Sequence, residues 1–174
     1  LAPRLAPGAR VLDAGCGDGR HALYLARCGF SVDAFDISER GVAKLKRRAE
    51  AEGLPVRAWV DDLCRVKLSD SYDLIVCHGV LHLLGREEWR RVIPRLQACT
   101  RPGGRNIVAV FTDRIAPPGD LAPFMRGLFR EGELERLYAG WELERSEAYT
   151  LKDEHPGGIR HSHPVNKVVA RKRG

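Results

Sequence analysis

Three glycines at alternate positions carry the clearest chemical content of this 174-residue chain: Gly15, Gly17 and Gly19, within Val11-Leu12-Asp13-Ala14-Gly15-Cys16-Gly17-Asp18-Gly19-Arg20. Without a Cβ, glycine turns a backbone sharply and lets a ligand approach main-chain N–H groups. A second apolar stretch, Ser31 to Phe35, leads into Asp36. An acid at that point can accept hydrogen bonds from two ribose hydroxyls. Together these features point to a nucleoside lying across the C-terminal ends of parallel strands. A dinucleotide matches poorly: its fingerprint is G-x-G-x-x-G, and here the third glycine comes one residue early, followed by Arg20. No G-x-x-x-x-G-K-[ST] phosphate loop is present. Asp13 and Asp18 flank the glycines, which suits a cationic ligand better than a phosphate.

Such residues need strands and a helix to hold them, and the pattern supplies both. A strand is expected over Arg10 to Ala14 and a helix over Gly19 to Arg27, with Ala22, Leu23, Leu25 and Ala26 apolar and Gly29 as its stop. The next strand is Ser31 to Phe35. Ser38 can cap a helix that carries Glu39 in its first turn and runs to Glu52, where Gly53 and Pro55 break it. Val56 to Val60 reads as a third strand. Tyr72 to Cys77 is a continuous apolar run such as a central parallel strand needs. A helix over Arg86 to Cys99 contains Pro94 as a possible kink, Pro102-Gly103-Gly104 reads as a turn, and Ile107 to Phe111 as a fifth strand. This alternation predicts a parallel sheet with helices on both faces. Beyond it, Ile115 to Pro123 reads as a loop over the C-terminal edge of the sheet, and Gly132 to Ala139 as a helix. Trp141 to Tyr149 and Asn166 to Arg171 read as strands, with the His155-Pro156-Gly157-Gly158 turn making an antiparallel hairpin at one sheet edge.

Length and composition fit one domain over residues 1–174, with 44% hydrophobic and 30% charged residues. No apolar run approaches a membrane span of roughly 20 residues, and no signal sequence is visible, so a cytoplasmic protein without membrane contact is expected. The chain starts at Leu1 rather than Met, which leaves room for a truncated N-terminus and a lid helix before it. Five cysteines and no C-x-x-C pair point to reduced, core-filling thiols and to no metal site. The net charge of +6 permits nucleic-acid binding, yet the basic residues are scattered, with clusters only at Lys44 to Arg48 and Arg171 to Arg173.

Asp13-Ala14-Gly15-Cys16-Gly17-Asp18-Gly19 resembles motif I of the class I S-adenosylmethionine (SAM) methyltransferases. The resemblance implies a Rossmann-like α/β fold with a seven-stranded, mostly parallel sheet of order 3-2-1-4-5-7-6, strand 7 antiparallel and helices on both faces. It implies SAM as cofactor and S-adenosylhomocysteine (SAH) as product. Asp13, Gly15, Cys16, Gly17 and Gly19 would meet the methionyl part, Asp36 the ribose and Ile37 the adenine face. Asp62 would accept the adenine amino group, with Asp61 the competing choice, and Leu63 would meet the ring. The Cys77-His78 backbone would hold the methionyl amine. Asp36 and Asp62 could instead simply cap the turns that follow them.

The methyl acceptor is read from the second half. Cys77-His78-Gly79-Val80-Leu81-His82 lacks the Asn- or Asp-Pro-Pro-aromatic run used on amino groups, and no Pro-Cys nucleophile or base-stacking ribbon is present. That argues against nucleic acid and for a small-molecule acceptor. Phe129 to Leu143, with its Tyr138-Ala139-Gly140-Trp141-Glu142 core, is similar to a segment of the tellurite-resistance (TehB-like) methyltransferases, and His155 to Lys172 resembles that family's ending. The resemblance implies methylation of tellurite, related selenium oxyanions or another soft nucleophile. The turn His155 to His163 departs from the family's His-Arg pattern. Cations for an oxyanion could come from Arg160, His161, His163, His82 and Arg126. Of these, Arg160 with His161 or His163 would meet the acceptor and His82 would line the pocket. His161 and His163, two apart, share a face of an extended segment; the alternative is that they are exposed turn residues. Trp141 and Tyr138 read as core packing. Two other classes remain: an RNA- or protein-modifying SAM methyltransferase, and a non-catalytic SAM-binding module.

Overall fold

The structure, a computed structural model, describes residues 5–68, 71–155 and 159–174; for 153–155 and 159–160 it describes the backbone alone. Seven strands form one sheet: β1 (Arg10–Ala14), β2 (Ser31–Asp36), β3 (Val56–Val60), β4 (Tyr72–His78), β5 (Thr100–Phe111), β6 (Glu142–His155) and β7 (Ile159–Arg171). Their order is β3-β2-β1-β4-β5-β7-β6. The first five are parallel, and β7 runs antiparallel to both β5 and β6. The expected sheet order and antiparallel seventh strand are therefore present.

Among the described residues, four α-helices flank the sheet: α1 (Arg20–Arg27), α2 (Glu39–Ala51), α3 (Arg86–Ala98) and α4 (Glu133–Leu137). Each strand of the parallel part sends alternate residues to opposite faces. Val11, Val32, Leu74 and Val76 pack with Leu23, Leu25 and Leu45 of α1 and α2. Leu12, Phe35, Ile75 and Val108 pack on the other face with Trp89 and Leu96 of α3, and with Leu134 and Tyr138. The Ser38 hydroxyl accepts the Gly41 N–H at 3.1 Å, as an N-cap should. At the N-terminal end of the sheet, buried Asp33 accepts from Arg57, Arg10 and the Tyr72 hydroxyl, tying four adjacent strands through one carboxylate.

Local expectations needed correction in the second half. Pro102-Gly103-Gly104 is not a separate turn but an irregularity inside β5: Thr100 pairs with Tyr72 and Arg105 already with Leu74. Gly103, at φ 76°, supplies the left-handed residue that bulge requires. The hairpin strands are also longer than the sequence pattern, because cross-strand pairing of β6 with β7 extends from Glu142↔Arg171 to His155↔Ile159. Residues 156–158 of the expected turn lie outside the described residues. Tyr138 is buried and accepts the Asn106 amide N–H, while Trp141 packs edge-on against it. Of the cysteines, Cys28 is exposed rather than core-filling, and none of the five is in a disulfide. Among the described residues, no helix is long and apolar enough to cross a membrane.

Candidate active site

The sheet order reverses between β1 and β4, and a crevice opens there at the carboxyl ends of the strands. The glycine loop after β1 forms one wall. Gly15, Gly17 and Gly19 all have positive φ (79°, 55° and 87°), the region open to glycine at least cost. The loop is stitched to β2: Gly15 and Cys16 N–H both donate to the Phe35 carbonyl, and Gly17 N–H donates to Asp36 Oδ2 at 2.8 Å. Asp36 Oδ1 accepts from Ser38 N–H. A carboxylate has about four lone-pair sites, so two remain for a ligand. The cleft, about 400 Å³, is lined by Gly15, Cys16, Gly17, Asp18, Arg20, His21, Asp36, His78, Gly79, Val80 and Leu83.

Several expected residues stand behind this surface. Asp13 is 1% exposed, and its Oδ2 accepts Ala22 N–H at 3.0 Å. It thereby supplies α1 with the cap that Gly19 lacks a side chain to give. Burial pushes its carboxyl up to about 7, opposed by the Ala22 N–H and aided by the charge of Asp36. Burial, with Asp13 and Asp36, pushes the Cys16 thiol up to about 12. Gly19 is a packing residue rather than a cleft residue: a Cβ there would sit 2.3 Å from Leu45 Cδ1. Cys77 is fully buried, and burial also raises its thiol. Asp18 is taken by Lys44 at 2.6 Å, which holds its carboxyl below the usual range.

Beyond β2, Ile37 is 71% exposed beside Asp36. Asp61 Oδ1 accepts Asp62 N–H, and Asp62 Oδ1 accepts Cys64 N–H, so both acids cap the turn after β3. Leu63 is buried. The turn is clamped from below by Arg95 of α3, whose guanidinium donates to the carbonyls of Leu63, Cys64 and Val66.

The expected acceptor histidines require a correction. His82 does not line the cleft; it is buried in the 3-10 turn Leu81–Leu83 and accepts Phe111 N–H through Nδ1. Its ring stacks on Phe111 at 4.1 Å, and burial with His163 and His78 holds it near 4. His163 also stacks on Phe111, at 4.6 Å, and His161 stacks on His163 at 5.8 Å. His161 and His163 thus share a face, but both are buried rather than exposed turn residues. The exposed Asp120 carboxylate lies 3.5 Å from His161 Nε2. Arg126 leans toward Glu88 at 3.6 Å. The Arg160 side chain lies outside the described residues, as do those of Asp153 and His155.

Sequence reasoning missed Arg20, His21, Val80, Leu83 and Gly41. A Cβ on Gly41 would meet the Gly17 carbonyl at 2.6 Å, so this glycine lets α2 begin against the glycine loop. A glycine in the first turn of a helix was the available signal, since it costs up to about 1 kcal/mol against alanine.

The family model described as tellurite resistance protein TehB matches residues 2–153. The chain belongs to the TehB family. It is 35% identical over 136 residues to a TehB of Haemophilus influenzae named "Probable S-adenosyl-L-methionine-dependent methyltransferase", covering 77% of this chain and 46% of that protein. It is 37% identical over 153 residues to Hemagglutinin 1 of Eikenella corrodens, covering 88% of this chain and 48% of that protein. The crystal structure of TehB from H. influenzae superposes with a TM-score of 0.89 at 30% identity, covering 99% of this chain and 60% of that one. This TehB-family chain therefore spans about half the length of the curated relatives it matches. Its sheet order is that of the class I methyltransferase fold.

Proposed function

We propose that this chain transfers the methyl group of SAM to a small-molecule acceptor. One observation carries the reading: the Asp36 carboxylate at the tip of β2 anchors the glycine loop through Gly17 N–H and still lines the cleft with lone pairs to spare. That arrangement fits a ribose diol held above a close backbone approach. When bound, the cofactor supplies an electrophilic methyl carbon on a positively charged sulfur.

The chain's own residues divide the remaining work. The Gly15–Gly17 backbone lets the methionyl part approach. Ile37 offers an exposed apolar surface to the adenine. Asp62 accepts from its amino group, with Asp61 beside it, and Leu63 closes the ring's other side. The Cys77-His78 backbone faces the methionyl amine. In-line displacement needs alignment and exclusion of water more than a strong base, and Val80 and Leu83 give the cleft its apolar rim. Family membership favours tellurite, selenium oxyanions or another soft nucleophile as acceptor. His82, His161 and His163 then shape the site through their stack on Phe111 rather than by meeting the acceptor.

Calorimetry with SAM and SAH on the chain and on Asp36→Ala tests this. Two charge-assisted bonds of about 1.5–3 kcal/mol each predict at least a hundredfold loss in the variant. Equal affinity would remove Asp36 from the site, and failure of the unsubstituted chain to bind either ligand would overturn the reading.

A further inference from the structure

Many of the cations are paired, as Arg27 is with Glu52, Arg101 with Asp73 and Arg105 with Glu144. Four are different. Among the described residues, no carboxylate lies within pairing distance of Arg20, His21, His78 or Lys167. Three of the four line the cleft, and the rings of His21 and His78 stand 4.8 Å apart.

Lys167 joins them through sheet register. His78 of β4 pairs with Ala109 of β5, and Ala109 pairs with Lys167 of β7. Residues paired laterally project from the same face, on strands about 4.8 Å apart. Only an alanine methyl therefore separates the stems of His78 and Lys167. Burial lowers the basicity of both imidazoles, and the charges of Arg20 and Lys167 lower it further; His78 falls to about 4. Glu147 stands opposite Lys167 on β6, but Arg145 holds it at 2.5 Å. Across the cleft, Asp18 is paired with Lys44, and Asp36 is held by the Gly17 and Ser38 N–H groups, out of pairing distance of all four.

The arrangement is electrostatically costly on its own. Arg20 and His21 occupy the first turn of α1, which has no acidic residue, and a helix dipole disfavours cations there. An anion on this wall would remove the cost.

We propose that Arg20, His21, His78 and Lys167 form the seat on which the charged end of an anionic methyl acceptor rests. The inference rests on the cofactor reading above and supplies its second substrate site. In the transfer, an acceptor lone pair forms the new bond to the methyl carbon. The electrons of the broken C–S bond return to sulfur, and the acceptor gives up one negative charge. The wall therefore holds the incoming anion more tightly than the charge-depleted transition state. Its contribution falls on KM rather than kcat.

The test is a selenite titration of the SAH-loaded chain at constant ionic strength. It is followed by the imidazole signals of His21 and His78 in long-range ¹H–¹⁵N spectra, assigned with His21→Asn and His78→Asn. Saturating selenite is expected to move both titrations to higher pH. Lys167→Met is expected to weaken selenite about tenfold or more, the loss of one charge-assisted contact, with SAH affinity unchanged. Titrations that stay in place, or equal selenite affinity in Lys167→Met, would overturn the assignment. SAH calorimetry on the same samples separates the two readings. A chain that binds SAH while selenite ignores the wall sinks only the acceptor seat, whereas a chain that binds no SAH sinks the cofactor reading.

Discussion

Replacing Asp13 by Asn isolates the energetic cost of the buried carboxyl beneath the glycine loop. The amide oxygen can still accept the Ala22 N–H, so the cap on α1 survives while the ionisation is removed. The folded-state pKa is raised from 3.8 to about 7, chiefly by burial. Below about pH 4 both folded and unfolded chains hold the proton, and the carboxyl costs nothing. Between about pH 4 and 7 the unfolded chain releases its proton and the folded chain keeps it, so this group's contribution to stability falls as pH rises. Above about pH 7 both states are ionised and the full penalty is in place. The span from 3.8 to about 7, at about 1.4 kcal/mol per pH unit, sets that penalty near 4 kcal/mol. Urea unfolding of the chain and of Asp13→Asn at a series of pH values reads it directly, because taking the difference cancels the other titrating groups. The advantage of Asp13→Asn should grow from about pH 4 to pH 7 and then level off. A difference that is flat across this range would show that Asp13 ionises as an ordinary carboxylate, and the account of its burial would be wrong.

Other substitutions probe the supports of the site. Gly19→Ala forces a side chain into φ 87° and against Leu45 Cδ1; about 1–2 kcal/mol of backbone strain plus 1–3 of overpacking should appear in urea unfolding. Arg95→Met frees the carbonyls of Leu63, Cys64 and Val66, so SAH affinity should fall about tenfold, and preference for SAH over its hypoxanthine analogue should shrink. An unchanged preference would make Arg95 merely structural. Tyr138→Phe strands the Asn106 amide that donates to the phenol oxygen in the core and should cost about 1–3 kcal/mol in the same unfolding assay.

How much was legible depended on whether the signal was local. The first three strands and two helices came out within a residue of their observed ends, because turn residues such as Gly29, Ser38 and Gly53 punctuate them. The ends of β6 and β7 did not, since cross-strand pairing carries that hairpin past the alternating pattern. The glycine loop and Asp36 were visible for a similar reason: a sharp bend and a strand tip are properties of a few consecutive residues. The fate of the histidines was not. His161 and His163 read as meeting the acceptor and His82 as lining its pocket, whereas in the fold His82 and His163 both stack on Phe111.

The sequence by itself determined the alternation of strands and helices, the bend at Gly15–Gly19 and the acid that follows β2, because backbone freedom and hydrophobic period act over a few residues. The tertiary structure alone decided which side chains meet. His21 and His78 face each other because α1 packs on the sheet beside β4, and Lys167 joins them only through the register of β4, β5 and β7. Such pairings depend on the packing of the whole sheet, and no spacing along the chain encodes them.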